Sequence, residues 1–364
     1  MPTAPETGGI VTIDTAALVE NWRTLGARHG APTAAVVKAD AYGLGADLVV
    51  PALAAAGCRH FFVAHLAEAL AIRARLPRAW LAVLNGPLPG TEAEFAEHEI
   101  LPVLNSLDDL ARWSALAHAR GQALPAILHL DTGMARLGLP PRETRTLLAE
   151  PERLAGIPLH YVMTHLAAAE HRESPLNQTQ RARFAERAAA FPGIPTSFAN
   201  SSGIFLGPAF RSALARPGIA LYGGNPTPDL PNPMRPVVRL HARVLQIREI
   251  PPGTPVGYEA TWRARRETRI ATACVGYADG WPRALSNRGA AFFDGTALPL
   301  VGRVSMDLVT FDATDCPGLA ANDWLELIGP QMPIDTLATL AGTNAYEILT
   351  SLGPRYTRQV RTQA

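Results

Sequence analysis

Cysteine is scarce: three residues in 364, at 58, 274 and 316, with neither the paired spacing of a zinc site nor that of a disulfide framework. A reducing compartment suits such a chain. The start "MPTAPETGGIVTID" has no basic opening and no apolar core of a secretory signal, so a cytoplasmic protein is expected. Long apolar runs are missing too. "LVVPALAAAGC" stops well short of the ~18 apolar residues that a membrane-spanning helix needs. Charge of one sign is not in excess, since 33 Lys and Arg balance 32 Asp and Glu. That removes the basic surface of a nucleic-acid binder and the acidic excess of a disordered chain. None of the ten histidines forms a His-x-x-x-His pair, so no metal site is expected. No G-x-S-x-G elbow occurs either, because "NSSG" has no glycine before its serines. No repeat, low-complexity stretch or heptad pattern stands out. A small molecule or another protein chain remains as partner.

What is present is alternation. From about residue 34 to 220, short apolar runs alternate with Ala/Leu/Arg/Glu-rich stretches, the pattern of a parallel sheet with helical crossovers. The strand candidates are "AAVVK" at 34, "HFFVA" at 60, "WLAVL" at 80, "ILPVL" at 100, "PAILHL" at 125, "LHYVMTH" at 159, "TSFANS" at 196 and "LARPGIALY" at 214. Eight strands predict a closed (β/α)8 barrel of the TIM type in an α/β fold. Ser106 with Asp109 predicts a capping box before "LARWSALAHAR", and Gly121 its stop. The proline-rich stretch "GGNPTPDLPNPMRP", residues 223–236, predicts a domain boundary. The barrel is expected over 14–235. A mainly β C-terminal domain is expected over 236–364, with strands in "VVRLHARVLQIREI", "TRIATACVG" and "RVSMDLVTFDA" and turns at "PPGT" and "FDGT".

Barrel enzymes assemble their sites at the carboxyl ends of the strands, so polar residues that close apolar runs are the candidates. These are Lys38, Asp131 with Arg136, His165, Asn200 with Ser201, and Arg216. Taken alone, Lys38 in "AAVVKADAYGLGA" reads as a lysine with its stem on apolar surface and its amine in water. In a barrel mouth it would be desolvated, its pKa lowered, and so able to form a Schiff base with a carbonyl substrate or with pyridoxal phosphate. Tyr42, on the loop just after it, could donate its hydroxyl to the cofactor. In "RPGIALYGG" a glycine lets backbone amides approach an anion, with Ser201 adding a hydroxyl, although "GG" after a strand is more often just a turn. His165 alone is more often a hydrogen-bonded core histidine.

Eight segments in order and spacing, "VVKADAYGLGA", "HLDTGMARLG", "MTHLAAAE", "FANSSG", "RPGIALYGG", "VGYEATW", "VGYADGW" and "VGRVSMD", resemble the alanine racemase family over nearly the whole chain. The resemblance implies a pyridoxal-phosphate barrel followed by a β-domain, with residues 1–13 adding a strand to the latter, and a head-to-tail homodimer. It implies interconversion of L-alanine and D-alanine, supplying D-alanine for peptidoglycan. Lys38 would carry the cofactor and serve one face of Cα, and Tyr258, reaching into the partner's site, would serve the other. His165 would be hydrogen-bonded between Tyr258 and Arg216, and Arg216 would face the pyridine nitrogen. Tyr42, Ser201, Gly218 and Ile219 would hold the phosphate, with Asn200 beside them. Arg136 would hold the phenolic oxygen and, with the Met306 N–H, meet the substrate carboxylate. Tyr277 and Tyr42 would narrow the pocket toward a methyl group, and Asp307 would stand at the entrance.

Three positions depart from the family pattern. His129 stands where many members have a carbamylated lysine that orients the arginine matching Arg136. Pro354 stands where a phosphate-binding tyrosine is common, with Tyr356 two residues on as the alternative. Leu44 replaces a frequent histidine. Two other functions compete: a racemase of broader side-chain range, disfavoured by Tyr277 and Met306, and a non-catalytic pyridoxal-phosphate barrel, disfavoured by the second domain.

Overall fold

Parallel strands buried on both faces need near-continuous apolar sequence, and the first half of the chain supplies it. In the computed structural model, which describes residues 7–361, strand β1 (Gly9–Asp14) leads into helix α1 (Thr15–His29). Seven strands then follow: β2 (Ala35–Val36), β3 (His60–Val63), β4 (Trp80–Val83), β5 (Leu101–Leu104), β6 (Ala126–His129), β7 (Leu159–Met163) and β8 (Thr196–Ser197). Each pairs in parallel with the next, and Phe61, Phe62, Val83, Val103, Ile127 and Leu128 are buried between the layers.

The eighth expected strand is not a ladder. Around "LARPG" the pairing is the single bridge Thr33↔Ala215. The ring still closes there: Ala34 N–H donates to Ala215 O (2.9 Å), Val36 N–H to Pro217 O (3.0 Å) and Arg216 N–H to Ala199 O (2.8 Å). Pro217 has no N–H to donate and Gly218 leaves the extended conformation (φ −122°, ψ −89°), so the ladder cannot propagate.

Helix punctuation follows local chemistry. Asp14 caps α1 by accepting from Ala17 N–H (2.8 Å), and Gly30 ends it in the left-handed region. Ser106 accepts from Asp109 N–H (3.1 Å) at the start of Leu107–Arg120, and Gly121 ends that helix. The box is only half made, because the Asp109 carboxylate accepts from Asn105 N–H (2.9 Å), one residue upstream of the cap.

Beyond the proline-rich stretch the long strand β9 (Val238–Ile250) organises an eight-stranded sheet. It pairs antiparallel with β1, Thr268–Ala273 and Trp324–Ile328, and β1 pairs in parallel with Thr357–Arg361. The "FDGT" turn is a two-residue hairpin, with Asp294 and Gly295 at φ 44° and 86° between paired Phe293 and Thr296. Of the segment 1–13, residues 1–6 lie outside the described residues.

Candidate active site

Strand β2 ends at Val36, and the chain at once enters a left-handed turn, Lys38–Tyr42. Ala39, Asp40 and Ala41 sit at φ 52°, 53° and 54°, and Tyr42 at 58°. For residues with a Cβ this costs about 1–2 kcal/mol each, so the surroundings must impose it. Ala41 N–H donates to Val37 O (2.9 Å), Gly43 N–H to Ala39 O (2.8 Å) and Gly45 N–H to Asp40 O (2.9 Å). Glu68 accepts from Ala39 N–H, and Arg358 donates to Gly43 O (2.8 Å) from the second sheet. The turn leaves Lys38 at the strand end and buries Tyr42, whose ring stacks on Tyr222 at a centroid distance of 4.6 Å.

Lys38 and Tyr42 line a cavity of about 330 Å3 at the carboxyl ends of the strands. Arg136, His165 and Arg216 line it from other strand ends, and Asn200, Ser201, Gly218 and Ile219 complete one wall. A larger hollow of about 550 Å3, beside Thr12, His241 and Trp324, contains none of these residues. Ser201 Oγ accepts from the Gly218 (2.9 Å) and Ala220 (3.3 Å) amides, bringing a hydroxyl and an amide cluster together. Asn200 Oδ1 accepts from Gly203 N–H (2.8 Å) and shapes the same loop.

The electrostatics are those of a cationic pocket. Burial pushes the Lys38 amine below the usual lysine range; the Arg136 charge adds to this and Glu68 opposes it. Burial pushes His165 well below the usual imidazole range, helped by the charges of Arg216 and Arg136. Arg216 is buried and its guanidinium is pushed down to about 10, still charged near neutrality. Its hydrogen bonds go to Ser197 Oγ and Thr164 O (2.6 Å); among the described residues none joins it to His165.

His129 is buried and pushed down to about 3, chiefly by burial and then by the Arg216 charge, with Asp131 opposing. Asn105 Nδ2 donates to Leu84 O (3.2 Å) and Val103 O (2.9 Å), which turns its Oδ1 toward His129 Nδ1 at 2.7 Å. The imidazole is therefore the neutral Nδ1–H tautomer with Nε2 as an acceptor. No hydrogen bond among the described residues joins His129 to Arg136.

The other expected residues lie outside this cavity in the same chain. Tyr258, Tyr277 and Met306 are 69%, 43% and 54% exposed on the second part of the chain. Tyr277 and Met306 do stand together, as Tyr277 N–H donates to Ser305 O and Ala278 N–H to Met306 O, both at 3.0 Å. Asp307 pairs with Arg355 at 2.7 Å.

Tyr356 is not a candidate for the cavity. It is buried against Gly9, where an added Cβ would stand 2.6 Å from its ring. Tyr346 lines the cavity instead, 6.1 Å from Tyr42 by ring centroids, and donates to Glu170 Oε1 (3.1 Å). A signal for it exists in the sequence: Asn344 with Glu347 marks a helix start, and Asn344 Oδ1 accepts from Glu347 N–H (3.1 Å). Pro354 lines a separate hollow behind the lysine turn. Leu44 is fully buried in the core and takes no part in the mouth.

Comparison with known proteins agrees along the whole chain. Residues 13–226 match the family described as "Alanine racemase, N-terminal domain" and 237–360 match "Alanine racemase, C-terminal domain". The alanine racemase of Acidiphilium cryptum is 58% identical over 97% of this chain and 98% of its own. The catabolic alanine racemase of Agrobacterium fabrum is 51% identical over 96% and 91%. The crystal structure of alanine racemase from Bartonella henselae, with covalently bound pyridoxal phosphate, has a TM-score of 0.94 at 45% identity and covers 98% of this chain and 100% of its own.

Proposed function

The chain belongs to the alanine racemase family, and on that premise we propose that it is an isomerase interconverting L-alanine and D-alanine, with pyridoxal phosphate as cofactor and a site shared between two copies of the chain. The observation that carries this is a partition of groups. Lys38, Arg136, His165 and Arg216 converge on one cavity, while Tyr258, Tyr277 and Met306 stay exposed outside it. Large exposed aromatic and thioether side chains suit a docking face, and a second copy can lay them over the cavity.

The residues present fit the cofactor. A Cβ on Gly218 would stand 2.0 Å from the Tyr42 hydroxyl oxygen, so only glycine keeps that phenol beside the amides of 218 and 219 and the Ser201 hydroxyl. Such a group of donors suits a phosphate, and Tyr346, across from Tyr42 with its proton given to Glu170, walls the same pocket. Lys38 would hold the aldehyde carbon, Arg216 would face the ring nitrogen, and Arg136 would meet the phenolic oxygen. When bound, pyridoxal phosphate supplies a sink for the electron pair left on Cα as its proton departs.

Inverting a stereocentre needs a proton taken from one face of Cα and returned on the other. The Lys38 amine, its neutral form favoured by burial and by the Arg136 charge, works one face. Tyr258 of the partner subunit works the opposite face. His165, kept neutral, can accept a hydrogen bond from that phenol. Arg216 remains a charged donor, so a ring nitrogen held against it would stay unprotonated, which would favour return of the proton to Cα over side reactions. Arg136 and the N–H of the partner subunit's Met306 meet the substrate carboxylate. Tyr42 and the partner subunit's Tyr277 leave room for a methyl group, and Asp307 of the partner subunit stands at the entrance.

Residues 14–235 would form the cofactor barrel, and the β-domain that begins at 236, joined by residues 7–13, would offer Tyr258 to the partner. The D-alanine formed in the cytoplasm would supply peptidoglycan. The test is a coupled or circular-dichroism assay of L- to D-alanine conversion with and without added pyridoxal phosphate. Cofactor-dependent conversion is expected; no conversion with cofactor bound would refute the assignment.

A further inference from the structure

Two neighbouring loops carry Tyr277, which narrows the site toward a methyl group, and Met306, whose N–H meets the substrate carboxylate. Tyr277 opens the short turn Tyr277–Asp279, and Met306 stands in the segment that faces it. Backbone hydrogen bonds join them, Tyr277 N–H to Ser305 O and Ala278 N–H to Met306 O, both 3.0 Å. The approach is so close that a Cβ on Gly276 would stand 2.2 Å from Met306 O. These bonds fix which residues face each other. The angle between the loops also depends on any side chain that bridges them.

Arg355 can set it. Its Nε and Nη2 donate to Asp279 Oδ1 and Oδ2 at 2.6 and 2.7 Å, and its Nη1 donates to Asp307 Oδ1 at 2.7 Å. Asp279 is 5% exposed and also accepts from Gly276 N–H at 2.8 Å, so the first carboxylate is anchored inside its own loop. Gly353 N–H donates to Asp279 O at 3.0 Å, which ties the arginine's own segment to the same turn. One rigid, planar guanidinium thus bridges the residue two after Tyr277 and the residue after Met306.

We propose that Arg355 is a positioning residue for side-chain selection: its fork holds the Tyr277 and Met306 loops at one separation and so limits the size of the substrate side chain the composite site admits. The proposal rests on the racemase reading of the site. Arg355 acts only through the two carboxylates and touches neither substrate nor cofactor. A lysine at 355 could reach one carboxylate at a time but could not span both in a fixed plane.

The test measures kcat and KM for L-alanine and L-serine in the holoenzyme, with thermal melting alongside, for wild type, Arg355→Ala, Arg355→Lys and Asp307→Ala. Arg355→Ala is expected to lose about tenfold in kcat/KM for L-alanine, mainly through KM, and less for L-serine, so its alanine-over-serine preference falls. Arg355→Lys should recover part of the preference. Asp307→Ala, which cuts one exposed arm, should lower it to a smaller degree and carries the test if Arg355→Ala does not fold. Variants that keep the wild-type alanine-to-serine ratio while losing kcat and melting temperature together would overturn the proposal, leaving the arginine a merely structural strut. A wild-type holoenzyme that racemises neither amino acid would instead overturn the racemase reading, and the proposal with it.

Discussion

Gly218 and Tyr42 are in direct apposition: a Cβ on the glycine would stand 2.0 Å from the phenolic oxygen and 2.8 Å from the ring carbon that bears it. Tyr42 can give way only at a cost, because its ring is stacked on Tyr222, which is itself fully buried and donates to Val36 O at 2.9 Å. Gly218→Ala should therefore push the phenol away from the amides and cost about 1–3 kcal/mol of stability from overpacking. The expected result is weaker retention of pyridoxal phosphate, measured by absorbance titration after dialysis, in a protein that still folds. Unaltered retention would remove this contact from the cofactor site.

The pH dependence of the rate should report on Lys38. The amine works as a base only when neutral, so activity should rise with pH through its pKa. Burial lowers that pKa first and the Arg136 charge second. Arg136→Gln removes the second cause and should move the acid limb of the kcat profile to higher pH, whatever it does to the size of kcat. An acid limb that stayed in place or moved down would contradict the assignment of Lys38 as that base.

Stability should depend on pH through His129. Its folded pKa of about 3 lies below the ordinary value of 6.5, so between those limits the unfolded chain binds more protons than the folded one. Stability is then fully present above 6.5 and is lost as pH falls toward about 3. His165, lowered for the same reason, acts in the same direction. Urea midpoints for wild type should fall more steeply over this range than those for His129→Gln. Parallel slopes would mean that His129 is not held neutral in the folded state.

Much of the site was readable in the sequence because a parallel barrel strand is apolar throughout, and a polar residue at its carboxyl end breaks the run. Lys38, His165, Asn200, Ser201 and Arg216 stand out on that ground alone, and all line the cavity. The eighth strand did not survive because Pro217 and Gly218 interrupt the ladder that the flanking apolar residues suggest. Nothing in "KADAY" announces a left-handed turn, since Ala39, Asp40 and Ala41 carry no glycine signal and their conformation is imposed by partners such as Glu68 and Arg358. Tyr346 was hidden for another reason. The strand-like end of the chain points to Tyr356, two residues beyond Pro354, while the helix start at Asn344 orients Tyr346 into the cavity from a different element.

If each site draws Lys38 from one chain and Tyr258 from the other, variants of the two residues must complement one another in a mixed dimer. Lys38→Ala and Tyr258→Phe, each purified as its own dimer, should be unable to invert alanine. Co-expressed with different tags and isolated as a mixed dimer, they place both intact residues in one of the two sites. L- to D-alanine conversion by that mixed dimer should return to about half the wild-type rate per dimer. A mixed dimer as inactive as its parents would contradict the shared site, and a Lys38→Ala dimer that still racemised alanine would contradict the whole account.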